Sequence, residues 1–334
     1  MAYPPPADVL TFGETMGSVR AAGLIRDGGP MDLSLAGAET NVAIGLARLG
    51  HSVRWVGRLG DDEVGQLARR TLRAENVLAD LAPTDGSRPT GLMLLERRVA
   101  DVSRVNYYRA GSAGSALSVQ DLEPAFAAPP RLVHLTGITP ALSESAAEAT
   151  LWAAAAARSA GAILSLDVNY RAKLWSRQDA RKVLVELARF ADIVIASEDE
   201  LELVLPATGG EPEPGPANAG NLIRDEAETV ARLAERGVAE VVIKRGARGA
   251  TAWRDGVAVS VPARPVNVLD TVGAGDAFTA GYLSALLDGG AVEARLDRGT
   301  VLGAFAVSRI GDWAALPFRE DLQLLEHESG STLR

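Results

Sequence analysis

The residues from Asp270 to Asp276, DTVGAGD, place bare backbone and a carboxylate immediately before a run of apolar residues with helical spacing. A helix start exposes unpaired N–H groups and carries partial positive charge, so Gly273, Ala274 and Gly275 offer a seat for an anion. The Asp276 carboxylate would repel that anion unless it takes a proton from a hydroxyl that attacks phosphorus, while the amides hold the transferring charge. Phosphoryl transfer is therefore one interpretation, and an ordinary glycine-containing helix start is the other.

Neither common nucleotide fingerprint accompanies this stretch. The P-loop order is absent, and no convincing GxGxxG follows the first strand-like run. Other chemically reactive residues directly follow strand-like runs, where the ligands of parallel sheets usually bind. They are Asp167 and Asn169, Ser197 and Glu198, and Lys244 and Arg245.

Short β-rich runs alternate with helical patterns along the chain. The strand-like runs begin near residues 8, 52, 131, 162, 192 and 240, with helical spacing between them. Such alternation predicts an α/β fold with a mainly parallel sheet and helices on both faces.

Two kinds of segment interrupt this alternation. Strand-like arms without an intervening helix occur near residues 15–35 and 88–112, and they predict a small β sheet that serves as a lid. Residues 206–221 are rich in Pro, Gly and acid, which predicts an exposed loop insertion. The Asp255-Gly256 pair between alternating arms predicts a hairpin.

The composition excludes several classes of partner. The 334 residues are 47% hydrophobic and 23% charged, with a net charge of −9, which argues against nucleic-acid and anionic-membrane partners. No cysteine is present, so disulfides and thiolate metal sites are excluded, and the three histidines show no zinc-site spacing. The first residues, MAYPPPADVL, lack the features of a secretory signal, and we expect a cytoplasmic protein.

Two separate stretches resemble the signatures of the ribokinase (PfkB) family of carbohydrate kinases. DTVGAGDAF is similar to the C-terminal signature, and AGAETNVAIGLARLG from Ala36 is similar to the N-terminal one. Within that family, NYYRAGSAGSAL from Asn106, SLDVNYRAKLWS from Ser165 and VIKRGARGA from Val242 resemble the 2-keto-3-deoxygluconate kinases. The resemblance extends from about Val9 to Asp321.

The resemblance implies one ribokinase-like domain over residues 1–334, a three-layer αβα sandwich with a mainly parallel central sheet and a β lid. It implies ATP- and Mg²⁺-dependent phosphorylation of the 6-hydroxyl of 2-keto-3-deoxy-D-gluconate, giving 2-keto-3-deoxy-6-phosphogluconate. Asp276 is then the general base, and Gly273, Ala274 and Gly275 form the anion hole.

The substrate's carboxylate calls for a guanidinium, and Arg109 and Arg171 lie in the two blocks that the resemblance assigns to substrate. Because neighbouring residues on a strand face opposite ways, only one of Tyr107 and Tyr108 is expected to face the sugar, and the resemblance favours Tyr107. The resemblance assigns the following residues to substrate: Gly37, Ala38, Asn41, Tyr107, Arg109, Arg171, Asp276 and Asp312. The alternative to a carboxylate-binding role is that both arginines are structural or surface residues.

The resemblance assigns the following residues to the nucleotide: Ser197, Lys244, Arg245, Gly246, Gly249, Gly273, Gly275 and Thr300. Glu200 is assigned to magnesium indirectly, through water. Three residues depart from the pattern: Ser197 replaces an Asn of the broad family, Met93 a substrate-facing Tyr, and Thr300 an adenine-side Asn. Both nucleotide assignments have a structural alternative. SEDEL from Ser197 equally fits an ordinary helix start with a capping serine, and the basic turn after Lys244 equally fits a solvent-exposed turn with no ligand.

Two other functions remain open. The first is another sugar kinase of the family, acting on fructose, ribose or 2-keto-3-deoxygalactonate. The second is a non-catalytic sugar or nucleotide sensor, although a binding module has no need of a base such as Asp276. The resemblance also implies a homo-oligomer, a dimer or larger, and the lid is the expected contact because an exposed sheet edge or apolar face needs covering.

Overall fold

The structure is a computed structural model that describes residues 7–99, 102–207 and 226–326. The predicted insertion at 206–221 therefore lies, from residue 208 onward, outside the described residues. The strands are β1 Val9–Phe12, β2 Met16–Ala21, β3 Met31–Ala36, β4 Val53–Val56, β5 Leu59–Gly60, β6 Val77–Leu78, β7 Thr84–Asp85, β8 Leu92–Val99, β9 Val102–Tyr108, β10 Leu132–Thr136, β11 Ile163–Asp167, β12 Ile193–Ser197, β13 Glu240–Lys244, β14 Ala250–Arg254 and β15 Val257–Val261. The α-helices are α1 Ala38–Arg48, α2 Glu63–Ala74, α3 Val119–Leu122, α4 Glu144–Ser159, α5 Arg177–Ala188, α6 Glu226–Glu235, α7 Ala274–Leu287 and α8 Val292–Val307.

A central sheet runs in the order β15-β14-β13-β12-β11-β10-β1-β4-β6 across the part of the chain that the structure describes. The strands from β13 to β6 pair in parallel, whereas β14 and β15 pair antiparallel at one edge. Its inner strands are buried on both faces, as their continuous apolar runs require. One hydrophobic core packs α4, α5 and α6 against one face, and a second packs α1, α2, α7 and α8 against the other. The predicted three-layer αβα sandwich is confirmed.

A separate four-stranded sheet in the order β3-β2-β8-β9, here called the small sheet, covers the carboxyl end of the central sheet. The register aligns Ser18 with Met93 and Met93 with Tyr107, so these three side chains share one face. Several contacts hold the small sheet to the main body, three of them through its basic side chains or a neighbouring lysine. Arg20 pairs with Asp270 at 2.9 Å, Arg97 donates to the Leu269 carbonyl at 2.7 Å, and Lys173 Nζ donates to the Val105 carbonyl at 2.7 Å.

The hairpin predicted at Asp255-Gly256 is confirmed. Asp255 and Gly256 have φ angles of 53° and 74°, and they join β14 to the antiparallel β15. Two consecutive left-handed residues match the twist of the flanking strands. No helix in the described ranges is both long and apolar enough to span a membrane.

A buried charge cluster fixes the amino end of β13. Glu240, at the start of that strand, accepts hydrogen bonds from Tyr282 Oη of α7 and from Arg295 Nη1 of α8, the latter at 2.7 Å. Arg254 on β14 adds a third donor at 3.2 Å. The cluster thus ties two helices to the strand that ends at Lys244.

We expect Glu240→Ala to lower the free energy of unfolding by about 3–5 kcal/mol, because it leaves the buried Arg295 guanidinium without its carboxylate. Tyr282→Phe removes one donor only and should cost about 1–2 kcal/mol. Urea unfolding followed by circular dichroism measures both. The exposed Glu235→Ala is the control, and a loss for Glu240→Ala no larger than that of this control would contradict the cluster's role.

Candidate active site

A cavity of about 1440 Å³ lies between the carboxyl ends of the central strands and the small sheet. Most of the residues predicted for substrate and nucleotide line it together: Gly37, Ala38, Asn41, Tyr107, Arg109, Arg171, Ser197, Glu200, Lys244, Gly246, Gly273, Gly275, Asp276 and Asp312. Four other predicted residues do not line it: Ala274, Arg245, Gly249 and Thr300. Residues that are far apart in sequence therefore meet at one site.

Helix α7 begins at this cavity, and Asp276 is its third residue. Gly273, just before the helix, has a left-handed φ of 77°, and a Cβ there would lie 2.2 Å from the Asp312 carbonyl oxygen. Only glycine fits this turn. The described backbone offers no acceptor to the Gly273 and Gly275 amides, whereas the Ala274 amide donates to the Thr271 carbonyl at 3.3 Å. Two of the three predicted donors are thus free to bind an anion.

The Asp276 carboxylate is buried and held from two sides. Asn41 Nδ2 donates to Oδ2 at 2.8 Å, and Asn169 Nδ2 donates to Oδ1 at 3.2 Å. Burial raises the pKa of Asp276 above its usual range, although the Asn41 hydrogen bond and the charge of Arg171 oppose the rise. A fixed carboxylate with a raised pKa, facing a cavity, is suited to accept a proton.

A buried ion pair lies beside this carboxylate. Lys244 Nζ donates to both oxygens of Asp167, at 2.9 and 2.7 Å, and Thr279 Oγ1 donates to the same aspartate at 3.0 Å. Burial lowers the pKa of Lys244, but the charges of Asp167 and Glu200 outweigh burial and leave that pKa raised. Lys244 is therefore a cation, and its ammonium lies near Gly275, where an added Cβ would come within 3.5 Å.

Glu200 organises the loop after β12. Its two carboxylate oxygens accept the Tyr170 amide at 2.7 Å and the Ser197 amide at 2.9 Å. Ser197 Oγ donates to Asp199 at 2.7 Å. The described residues contain no group of three or more His, Cys, Asp or Glu side chains that could hold a metal ion.

The two predicted arginines differ in their surroundings. Arg109 is paired with the buried Glu14, with its Nε 2.6 Å from Oε2. Arg171 lines the cavity and is exposed, and its side chain makes no hydrogen bond or ion pair at contact distance within the described ranges. Lys173 lies over the Tyr107 ring at 5.7 Å and also lines the cavity. Arg171 and Lys173 are thus the cations here that lack a carboxylate partner.

Asp312 reaches the cavity from the segment after α8. Burial raises its pKa to about 7, and the charges of Asp276 and Asp270 add to this rise while Arg20 opposes it. Its Oδ1 atom is buried and has no hydrogen-bond partner in the described structure. The Oδ1 atoms of Asn41 and Asn169 are buried and unpartnered in the same way. Three residues that line the cavity thus each carry a buried side-chain oxygen without a hydrogen-bond partner in the described structure.

Three of the residues predicted to bind the nucleotide lie away from the cavity. Arg245 pairs with Glu198 and Glu226, so its guanidinium lies away from the cavity. Gly249 has a left-handed φ of 94° and packs against the end of β15, where a Cβ would lie 2.0 Å from the Val261 carbonyl oxygen. Thr300 is buried within α8 and donates to the Asp297 carbonyl at 2.8 Å.

Asn169, Glu14 and Lys173 belong to the site, although the sequence-based assignment gave none of them a role toward substrate, nucleotide or metal. Asn169 was singled out only as a reactive residue after a strand-like run, which is β11, two residues before Arg171. Lys173 lies two residues after Arg171 in the same loop. For Glu14, the sequence offered only a weak indication, namely an acidic residue just after the first strand.

The comparisons with known proteins agree with this geometry. The family model described as "pfkB family carbohydrate kinase" matches residues 7–319. The chain is 34% identical to the 2-dehydro-3-deoxygluconokinase of Bacillus subtilis (strain 168), with 94% of each chain covered. It is 32% identical to the 2-dehydro-3-deoxygalactonokinase of Haloferax volcanii, with 93% of this chain and 94% of the relative covered.

A solved structure confirms the fold. The crystal structure of a putative Ribokinase II in complex with ATP and Mg²⁺ from E. coli superposes with a TM-score of 0.84, covering 96% of this chain and 99% of that one at 22% identity. The predicted ribokinase-like architecture is thereby confirmed. With a family match over nearly its whole length, the chain belongs to the pfkB family of carbohydrate kinases and is a phosphotransferase that acts on a sugar hydroxyl.

Proposed function

We propose that this sugar kinase transfers the γ-phosphoryl group of ATP to the 6-hydroxyl of 2-keto-3-deoxy-D-gluconate. The observation that carries the proposal is the pairing, in one cavity, of a buried carboxylate at a helix start with an unpartnered guanidinium, Asp276 with Arg171. The first can act on a hydroxyl, and the second suits a carboxylate at the other end of the sugar acid. The name of the Bacillus subtilis relative supports the same acceptor.

In this reaction Asp276 takes the proton of the 6-hydroxyl as the new O–P bond forms and ADP departs with the electrons of the broken bond. The Gly273 and Gly275 amides hold the charge on the transferring group. Asn41 and Asn169 keep the carboxylate aimed at the acceptor, because each donates to a different oxygen of Asp276.

The acceptor is held by groups that are otherwise unsatisfied. Arg171 and Lys173 bind its carboxylate, while the unpartnered Oδ1 atoms of Asn41, Asn169 and Asp312 accept its hydroxyl protons. Tyr107 lies along the carbon chain of the sugar acid, and Gly37 and Ala38 contact it at the start of α1. A Cβ at Gly37 would lie 2.6 Å from the Glu14 carbonyl oxygen, so only glycine leaves room there. Anchoring the far end of the sugar orients the reacting hydroxyl.

The site also fits the phosphates of ATP. The free amides of Gly273 and Gly275, the ammonium of Lys244 and the adjacent Gly246 provide positive charge and space. Magnesium bound with ATP would supply charge neutralisation at the phosphates. We assign to Glu200 an indirect role, since both of its oxygens already accept backbone amides.

We further propose that the small sheet acts as a lid and as the contact between two copies of the chain. The face of the small sheet opposite the cavity exposes Met31 and Leu33 at 44% and 54%. Register places Leu33, Val19 and Leu94 in one row on this face. An apolar sheet face of this kind is stabilised by a matching face, and two-fold symmetry provides one.

The rival acceptors are fructose, ribose and 2-keto-3-deoxygalactonate, the last of which is favoured by the name of the Haloferax volcanii relative. A panel of these acceptors in an ADP-release assay separates them. Absence of ADP release with every acceptor, despite measurable binding, would instead favour a non-catalytic sensor.

We expect Asp276→Asn to lower kcat by about 10²–10⁴-fold with substrate binding largely retained, because the amide keeps the shape but accepts no proton. In the wild type, kcat should fall as the pH drops through the raised pKa of Asp276, since only the ionised carboxylate is a base. Coupled ADP-release kinetics measure both effects. The distant Asp255→Asn is the control, and near-normal turnover by Asp276→Asn would eliminate the base assignment.

Removal of the free guanidinium should change acceptor selectivity. We expect Arg171→Ala to raise KM for 2-keto-3-deoxy-D-gluconate by roughly 10- to 100-fold, the worth of a charged hydrogen bond, with little change for a neutral acceptor. The exposed Arg104→Ala on β9 is the matched control. Equal losses for acid and neutral acceptors would show that Arg171 does not bind the carboxylate.

A charge on the outer face of the small sheet should separate the copies. We expect Leu33→Glu to convert an oligomer to monomers in sedimentation equilibrium, since the new carboxylate would be buried in the contact. Val257→Glu, at the far edge of the central sheet, introduces the same charge and should leave assembly unchanged. A wild type that sediments as a monomer would contradict the proposed contact.

A further inference from the structure

Glu14 occupies a slot that the surrounding backbone leaves open for it. It follows β1 by two residues and is only 2% exposed. Gly91 and Gly114 form the sides of the slot, because an added Cβ would lie 2.6 Å from Glu14 Oε1 at Gly91 and 2.4 Å from Glu14 Cγ at Gly114. Two glycines far apart in sequence thus leave room for one carboxylate beside the cavity.

Every hydrogen bond of this carboxylate serves the segment after β9. Oε2 accepts from Arg109 Nε at 2.6 Å and lies 2.5 Å from Arg109 Nη2, while Oε1 accepts from Ser112 Oγ. The guanidinium is also 5.7 Å from the centre of the Tyr107 ring. Glu14 therefore fixes both the position and the orientation of Arg109.

The pair also changes the electrostatics of the cavity. The positive charge of Arg109 is balanced at contact distance by Glu14, whereas Arg171 has no such partner in the described structure. A carboxylate ligand would therefore find in Arg109 a hydrogen-bond donor whose positive charge is already balanced by Glu14. In Arg171 it would find a positive charge that no contacting carboxylate balances. Removal of Arg109 would leave Glu14 as a buried, unpaired negative charge at the same wall.

We infer that Glu14 is a positioning residue that sets acceptor selectivity: it holds Arg109 as an oriented, charge-balanced donor, so that Arg171, together with Lys173, supplies the net charge matched to a sugar acid. This inference rests on the proposed function. It predicts that the damage done by losing Arg109 comes in part from the unmasked Glu14 carboxylate, which repels the carboxylate of the sugar acid.

The test is a rescue experiment on the full-length protein, with the dissociation constant of 2-keto-3-deoxy-D-gluconate measured by calorimetry. Arg109→Ala should weaken binding by at least about tenfold, and adding Glu14→Gln should restore at least about threefold of that loss. Adding Ser112→Ala instead is the matched control, because it removes a contact of Glu14 but leaves its charge, and it should restore nothing.

A second variant covers the case in which Arg109→Ala does not fold, which thermal unfolding would reveal. Arg109→Lys keeps a cation beside Glu14, so its affinity for the sugar acid should stay closer to wild type than that of Arg109→Ala. If Arg109→Ala is unfolded, a sugar-acid affinity of Arg109→Lys that falls by tenfold or more would overturn the inference.

The outcomes for the two proposals are distinct. Sugar-acid binding by the wild type, without rescue in Arg109→Ala/Glu14→Gln, would overturn the role of Glu14 alone. If the wild type binds a neutral sugar but no sugar acid, the proposed function fails, and the charge matching inferred here fails with it.

Discussion

The site depends on keeping one carboxylate charged and aimed while it is removed from water. Asp276 is buried, and burial alone would favour its neutral form. Asn41 from α1 and Asn169 from the loop after β11 each donate to one of its oxygens, so three distant segments must converge within hydrogen-bond distance. The parallel sheet makes this convergence possible, because the carboxyl ends of its strands share one edge.

The other charges around the cavity fall into balanced and unbalanced groups. Lys244 is matched by Asp167 and Arg109 by Glu14, both at contact distance. Arg171 and Lys173 have no acid at contact distance in the described residues, which leaves positive charge on one wall of the cavity. Selectivity for an anionic acceptor would then arise from which cations are left unmatched, rather than from how many are present.

The sequence pattern was sufficient to predict the fold and the position where α7 begins. Alternating strands and helices predicted the sandwich, and the glycines before Asp276 indicated a helix start at the site. Side-chain pairing was not predictable, because local sequence does not show that Glu14 reaches Arg109 across 95 positions or that Arg245 turns toward two glutamates. Thr300, which the resemblance assigns to the adenine side, is buried in α8 and does not line the cavity.

The two ends of strand β13 have different roles, and this division affects how such an enzyme can diversify during evolution. Glu240 at its amino end joins the buried cluster with Tyr282 and Arg295, and Lys244 at its carboxyl end lines the cavity. Lys244 lies four residue steps along the strand from Glu240, roughly 13 Å. Stability is therefore secured at one end of the strand and chemistry at the other, so loops at the carboxyl end can change during evolution without disturbing the anchor. One scaffold can in this way give rise to relatives that bear the names of different sugars.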